Sequence, residues 1–221
     1  MGVFQKTGGR RSTLVTLVGL AIAYSPSYIS VGLRRAGVSI GLQGPPSVLL
    51  WNWLAVGMLL LFVTKVEGQG LRSIGLTRPS RDDLRWAVYF WAISTMVSGL
   101  LNVVLPPDPN EGLATVVGLP LPVLMALIVT TSTTEEILFR GYPIERISEL
   151  TGSTGLAVAI SMGLFVLPHI RFFGPVWLLY HGVGLVLFYV LYLWRRNLWA
   201  CMLMHLLGNA LLLLPATGIV S

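Results

Sequence analysis

The sequence predicts an all-α, polytopic membrane helix bundle, a single membrane domain over residues 1–221 with about seven transmembrane helices. Three observations predict it. Mean hydropathy is +0.77. Hydrophobic residues make up 54% of the chain and charged ones only 11%. Several apolar runs reach the roughly 18–20 residues that cross a bilayer core. In lipid, backbone polar groups must be satisfied within the segment, so the spans are helices.

The apolar runs place spans at about 13–33, 47–66, 84–105, 118–141, 154–170, 175–194 and 197–214. Lys6, Arg10 and Arg11 precede the first, and Ala21-Ile22-Ala23 resembles a signal-peptide cleavage site. Apolar and small residues continue through Leu33, so a retained helix is expected. Ser80-Arg81-Asp82-Asp83 reads as an N-cap with acids in the first turn, ahead of the third span. The stretch "LTGST" supplies turn residues around Gly152 between the fourth and fifth spans. Arg195 and Arg196 separate the last two.

Loop charges orient the bundle. With the N-terminus inside, Lys6, Arg10, Arg11, Lys65, Arg72, Arg78, Arg81, Arg85, Arg140, Arg146, Arg195 and Arg196 lie on the inner side, leaving Arg34, Arg35 and Arg171 outside, so the inner side holds twelve of the 15 basic residues. The expectation is an integral protein of the cell (plasma) membrane with a cytoplasmic N-terminus. The net charge of +6 is then matched to anionic lipid rather than nucleic acid. The single Cys201 excludes an intrachain disulfide and suits a packed thiol.

Ionisable groups at membrane depth are costly and mark candidate functional positions. Here they are Glu135, Glu136, Arg140, His169, His181 and His205, with the neutral Asn209. Glu136 and Arg140 are four apart on one helix face and can pair, whereas Glu135 is turned about 100° away and need not share that partner. His205 and Asn209 are likewise four apart. Around a turn at Gly152, Glu135 stands 17 residues before and His169 17 after, which sets them at equal height in antiparallel helices. His205 lies 9 residues past Arg196, about 13 Å at 1.5 Å per residue. Glu135, His169, His205 and Asn209 can therefore share one layer near the cytoplasmic side.

Each group also has a bland explanation. Glu136–Arg140 can be a structural ion pair. His169, after Pro168, can cap a broken helix. His205 with Asn209 can be interhelical glue. His181, beside Gly182 and Gly184, reads as structural and is expected to point elsewhere. Three chemical readings stay open on the residues alone. One is hydrolysis, with a carboxylate and histidine activating water and a His/Asn pair holding an oxyanion. The second is zinc held by Glu135, His169 and His205, although no HExxH spacing is present. The third is a non-enzymatic proton relay or scaffold.

"EEILFR" (Glu135 to Arg140), "FVLPH" (Phe165 to His169) and "HLLGN" (His205 to Asn209) follow the order and approximate spacing of the three motifs of the CPBP, or Abi, intramembrane proteases. That family includes the type II CAAX prenyl endopeptidases and bacteriocin-processing proteins. The segment Ser73 to Val88 also resembles the loop before the family's third helix, and the resemblance covers a core of about residues 70–214. It implies an intramembrane glutamate endopeptidase. Glu135 would activate water with His169, His205 and Asn209 would form the oxyanion site, and Glu136 and Arg140 would orient it. It implies no metal cofactor, zinc being the alternative. The implied partners are membrane lipids and a peptide or protein substrate, lipidated or membrane-anchored: a prenylated C-terminus, a bacteriocin or pheromone precursor, or a C-terminal sorting signal. The implied cleavage is near the cytoplasmic membrane surface. Some family members act as immunity or regulatory factors without demonstrated proteolysis.

Overall fold

The computed structural model describes residues 13–38 and 44–218. The positions of Lys6, Arg10 and Arg11 lie outside the described residues. The chain is a polytopic all-α bundle, and six of its helices are long and apolar enough to cross a membrane: Ser47–Val66, Arg81–Val104, Leu121–Thr151, Thr154–Phe173, Trp177–Arg195 and Leu198–Ala216.

The first expected span is two helices, α1 (Thr13–Tyr24) and α2 (Pro26–Arg35). Pro26 has no backbone N–H to continue the ladder from α1, so the chain breaks there. α1 packs into the bundle, with Ala23 buried and the Tyr24 ring 5.6 Å from that of Phe139, and α2 lies against α3. The second span is α3 (Ser47–Leu61), extended by a π-helical turn at Phe62–Val66. A 3-10 turn at Leu71–Ile74 leads to α4 (Arg81–Val104). The expected cap of α4 is present as a reciprocal pair, with the Asp83 N–H donating to Ser80 Oγ at 3.1 Å and the Ser80 N–H to Asp83 Oδ2 at 2.7 Å.

After the short α5 (Glu111–Val117), the fourth span departs from expectation. It does not end near residue 141. α6 (Leu121–Glu135) runs into a π-helical segment, Glu136–Gly141, and on into α7 (Tyr142–Thr151). Arg146, expected to leave the membrane, is fully buried and forms an ion pair with Glu67 at 2.7 Å. Ser73 Oγ accepts from the same guanidinium at 2.9 Å. The turn at Gly152 is where the sequence places it, and its φ of 73° lies in the left-handed region that glycine tolerates.

α8 (Thr154–Phe173), α9 (Trp177–Arg195), α10 (Leu198–Ala210) and α11 (Leu213–Ala216) complete the bundle. α8 continues through Pro168, so His169 does not cap a broken helix. Phe139 and Phe165, each thirteen positions from Gly152, stack edge to face at 5.3 Å. This is the antiparallel register the equal offsets require.

The connections alternate between two ends. One end gathers residues 66–81, 151–154 and 195–198, and is laced together. The Leu198 N–H donates to Gly75 O at 2.9 Å, Asn197 Nδ2 to Thr77 O at 3.0 Å, and Arg195 Nε to Asp83 Oδ1 at 2.6 Å. Arg196 pairs with Glu145. The other end gathers residues 44–47, 104–121, 173–177 and 211–216, where Asn110 Nδ2 donates to Phe173 O and the Tyr180 hydroxyl to Leu105 O.

Candidate active site

The site begins with hydroxyls. In "TTSTTEE", Thr131 Oγ1 donates back to Leu127 O at 2.9 Å and Thr134 Oγ1 to Thr130 O at 2.7 Å, which satisfies these groups inside an apolar helix. The same hydroxyls then accept from neighbouring helices. Asn52 Nδ2 reaches Thr134 Oγ1 at 3.0 Å, Trp53 Nε1 reaches Thr130 Oγ1 at 3.0 Å, and Asn209 Nδ2 reaches Thr131 Oγ1 at 3.0 Å and Ser132 Oγ at 3.4 Å. α6 is thereby pinned to α3 and to α10 by polar contacts that apolar packing alone does not provide.

At Glu136 the helix widens to the π form, which adds a residue to the turn and often marks functional sites. Two features hold this costly geometry. Pro143 cannot give the N–H that Phe139 O would take in an α-helix, and the Ser161 hydroxyl donates to that carbonyl instead. Gly141 permits a close approach, since a Cβ there would sit 2.6 Å from Ile74 O and 2.6 Å from Leu198 Cδ1.

The two adjacent acids part company here. Glu136 is fully buried. Its Oε1 accepts from Arg140 Nη1 at 2.5 Å and from His205 Nδ1 at 2.7 Å. Arg140 is also fully buried, and its guanidinium lies 4.9, 4.6 and 4.8 Å from the ring centres of Phe165, Phe188 and Tyr189. These faces stabilise the part of the cation that no oxygen meets. Glu135 instead lines a cavity of about 1270 Å³. Its carboxylate accepts no hydrogen bond from a described residue.

His169 and His205 line the same cavity, as does Asn209. His169 Nδ1 is 2.7 Å from Phe165 O. A carbonyl only accepts, so Nδ1 carries the proton, and in the neutral ring Nε2 keeps its lone pair. Phe165 at 4.4 Å and Trp177 at 4.8 Å hold the ring between them. By the same logic His205 donates from Nδ1 to Glu136, leaving Nε2 as the nitrogen available to a substrate.

All four residues expected at the site thus share one cavity, although no direct hydrogen bond joins Glu135 to His169. One expectation needs correction. His181 does not point elsewhere: it lines the cavity, with Trp177 at 5.2 Å between it and His169. The lining does not reach the arginine-rich end. It runs to Gly44, Pro45, Asp108, Asn110, Gly174 and Pro215 at the opposite end, because Ile74, Gly141, Tyr192 and Leu198 pack the arginine-rich side solid. Sequence reasoning also missed Trp53, which donates to Thr130, and Asn52, Trp177 and the α4 residues Ser94, Ser98 and Asn102, which line the cavity. The i,i+4 spacing of the last three on an apolar helix was the available signal.

Among the described residues no three His, Cys, Asp or Glu side chains are grouped closely enough to hold a metal ion. Glu135, His169 and His205 share the cavity without converging as a ligand triad.

Residues 117–211 match the family model of the Rce1-like type II CAAX prenyl endopeptidases. The matched segment contains all three motifs, and the matched family is the one they resemble. At that level the match supports an intramembrane endopeptidase acting on a peptide or protein substrate. Comparisons with curated proteins and with solved structures gave no match.

Proposed function

We propose that the protein is an intramembrane glutamate endopeptidase whose base is Glu135. The observation that carries this reading is the contrast between the paired acids. Glu136 is neutralised by Arg140 and His205, whereas Glu135 faces the cavity with its lone pairs uncommitted to any described donor. Glu135 takes a proton from water as the oxygen attacks the scissile carbonyl, with His169 Nε2 as a second acceptor that can share that proton. The tetrahedral oxyanion is met by the imidazolium form of His205, whose Nδ1–H is held by Glu136 and whose Nε2–H is left to donate, with Asn209 beside it. Collapse of the oxyanion re-forms the carbonyl and breaks the C–N bond as Glu135 returns its proton to the departing amine, which completes peptide hydrolysis. Glu136 and Arg140 hold His205 in register and do not touch the reacting atoms.

The test is turnover by purified protein in liposomes, assayed against a mixture of internally quenched peptides. Cleavage that disappears in Glu135→Gln supports the reading, and cleavage that persists removes it.

A non-proteolytic regulatory or immunity role is the second reading, favoured by Asn209. Its amide donates to Thr131 and Ser132, as a helix-binding strut would, rather than standing ready for an oxyanion. Absence of turnover against any peptide, with the fold intact, would select it.

A further inference from the structure

We infer that Asn52, on α3, is a further substrate-binding residue, and that its side-chain oxygen accepts a hydrogen bond from a substrate backbone N–H beside the scissile bond. This rests on the endopeptidase reading and adds to it a contact from outside the matched segment 117–211.

The orientation of the Asn52 amide is fixed by its neighbour. Thr134 Oγ1 donates its one proton to Thr130 O at 2.7 Å, so toward any other group it only accepts. The Asn52 atom 3.0 Å from it is therefore the donor, Nδ2. Oδ1 is the atom left over, and no described residue donates to it. It is not sealed in. Asn52 is otherwise buried and borders the cavity, so the oxygen opens there.

A second bond holds α3 in this setting, since Trp53 Nε1 donates to Thr130 Oγ1 at 3.0 Å. Two consecutive residues of α3 thus grip two hydroxyls one turn apart on α6, which leaves the amide little freedom to turn away. Thr134 directly precedes Glu135, so Asn52 stands in the layer of the proposed base, and both border the same cavity.

Helix packing accounts for only half of this side chain. A strut between α3 and α6 needs one donor, and Nδ2 supplies it. It does not need Oδ1, and a carbonyl oxygen at membrane depth is costly unless a donor meets it. A peptide brings the matching group, because each of its non-proline residues carries one C=O and one N–H. In the proposed reaction the substrate carbonyl oxygen goes to His205, while Glu135 and His169 Nε2 take up the proton of water. An N–H next to the cut bond still needs an acceptor, and Asn52 Oδ1 is one that the reaction leaves unused.

The test is a backbone N-methyl scan. A quenched peptide that purified wild-type protein cleaves in liposomes is remade with each backbone N–H flanking the cut bond methylated in turn. kcat/KM is measured for wild type, for Thr134→Val and for the double variant Asn52→Leu/Thr134→Val. Replacing both partners of a hydrogen bond by apolar groups of similar shape is nearly neutral in favourable cases, so the double variant should fold. Wild type should lose cleavage at one methylated position. Thr134→Val keeps Oδ1 and should show the same loss. In the double variant the unmethylated peptide should be cut about tenfold more slowly, and methylation at that position should cost about tenfold less than in wild type. If the double variant does not accumulate, Asn52→Ala is read in the same way. A loss of rate that is equal for every peptide, methylated or not, would make Asn52 a helix strut and overturn the inference while leaving the endopeptidase reading intact. Absence of cleavage of any peptide by wild type would remove the endopeptidase reading, and this contact with it.

Discussion

His205 Nδ1 lies 2.7 Å from Glu136 Oε1, although 69 positions separate the two residues in sequence. The contact fixes the imidazole against the π-helical segment Glu136–Gly141 and commits Glu136 to a supporting task. Replacing Glu136 with Gln keeps the shape and removes the charge that both His205 and Arg140 face. Glu136→Gln should therefore lose most cleavage and also lower the melting temperature in detergent. Unchanged melting with lost cleavage would place Glu136 among the reacting groups instead.

Arg140 has one carboxylate and three aromatic faces around it. Removing one member of a buried pair costs about 3–5 kcal/mol, because the survivor is left uncompensated. Arg140→Ala should lower thermal stability accordingly. Arg140→Lys should not restore it, since a compact ammonium cannot both reach Glu136 and cover three rings. Denaturation of the two variants beside wild type checks this. A stable, well-expressed Arg140→Ala would show that Glu136 finds adequate partners without the arginine.

Much of this was legible in the sequence. Six of the seven expected spans fall where helices long enough to cross a membrane stand, because an apolar run of that length has few other solutions. The pairing of Glu136 with Arg140 followed from helical spacing, and the common height of Glu135 and His169 from the turn at Gly152. What escaped has physical causes. A π-helical segment has no composition of its own, so the continuation through Arg140 into α7 looked like an exit from the membrane. The burial of Arg146 depends on Glu67, which lies 79 positions away. Pro168 reads as a breaker, yet α8 passes through it.

Gly141 tests the π-helical segment. An added methyl group would meet a backbone oxygen, Ile74 O, which cannot rotate away. Overpacking of this kind costs typically about 1–3 kcal/mol. Gly141→Ala should reduce stability by that order and weaken cleavage through a shifted Glu136. Wild-type melting and activity in this variant would mean that the segment tolerates rearrangement.

The zinc alternative has its own measurement. The chain has no His-x-x-x-His spacing, and Glu135, His169 and His205 do not form a ligand cluster. Purified protein should contain no stoichiometric zinc and should keep its activity in chelator. One equivalent of zinc, lost together with activity and restored with it, would reverse the ranking of zinc and carboxylate.

The most direct measurement of the central claim compares Glu135→Gln with wild type, in cleavage rate and in melting temperature on the same preparation. Glu135 has no hydrogen bond to a described residue to lose, so the variant should melt as wild type does. General-base catalysis typically contributes about 10²–10⁴ in rate, so cleavage should fall by that order. Wild-type turnover in a folded Glu135→Gln protein would contradict the assignment of Glu135 as the base.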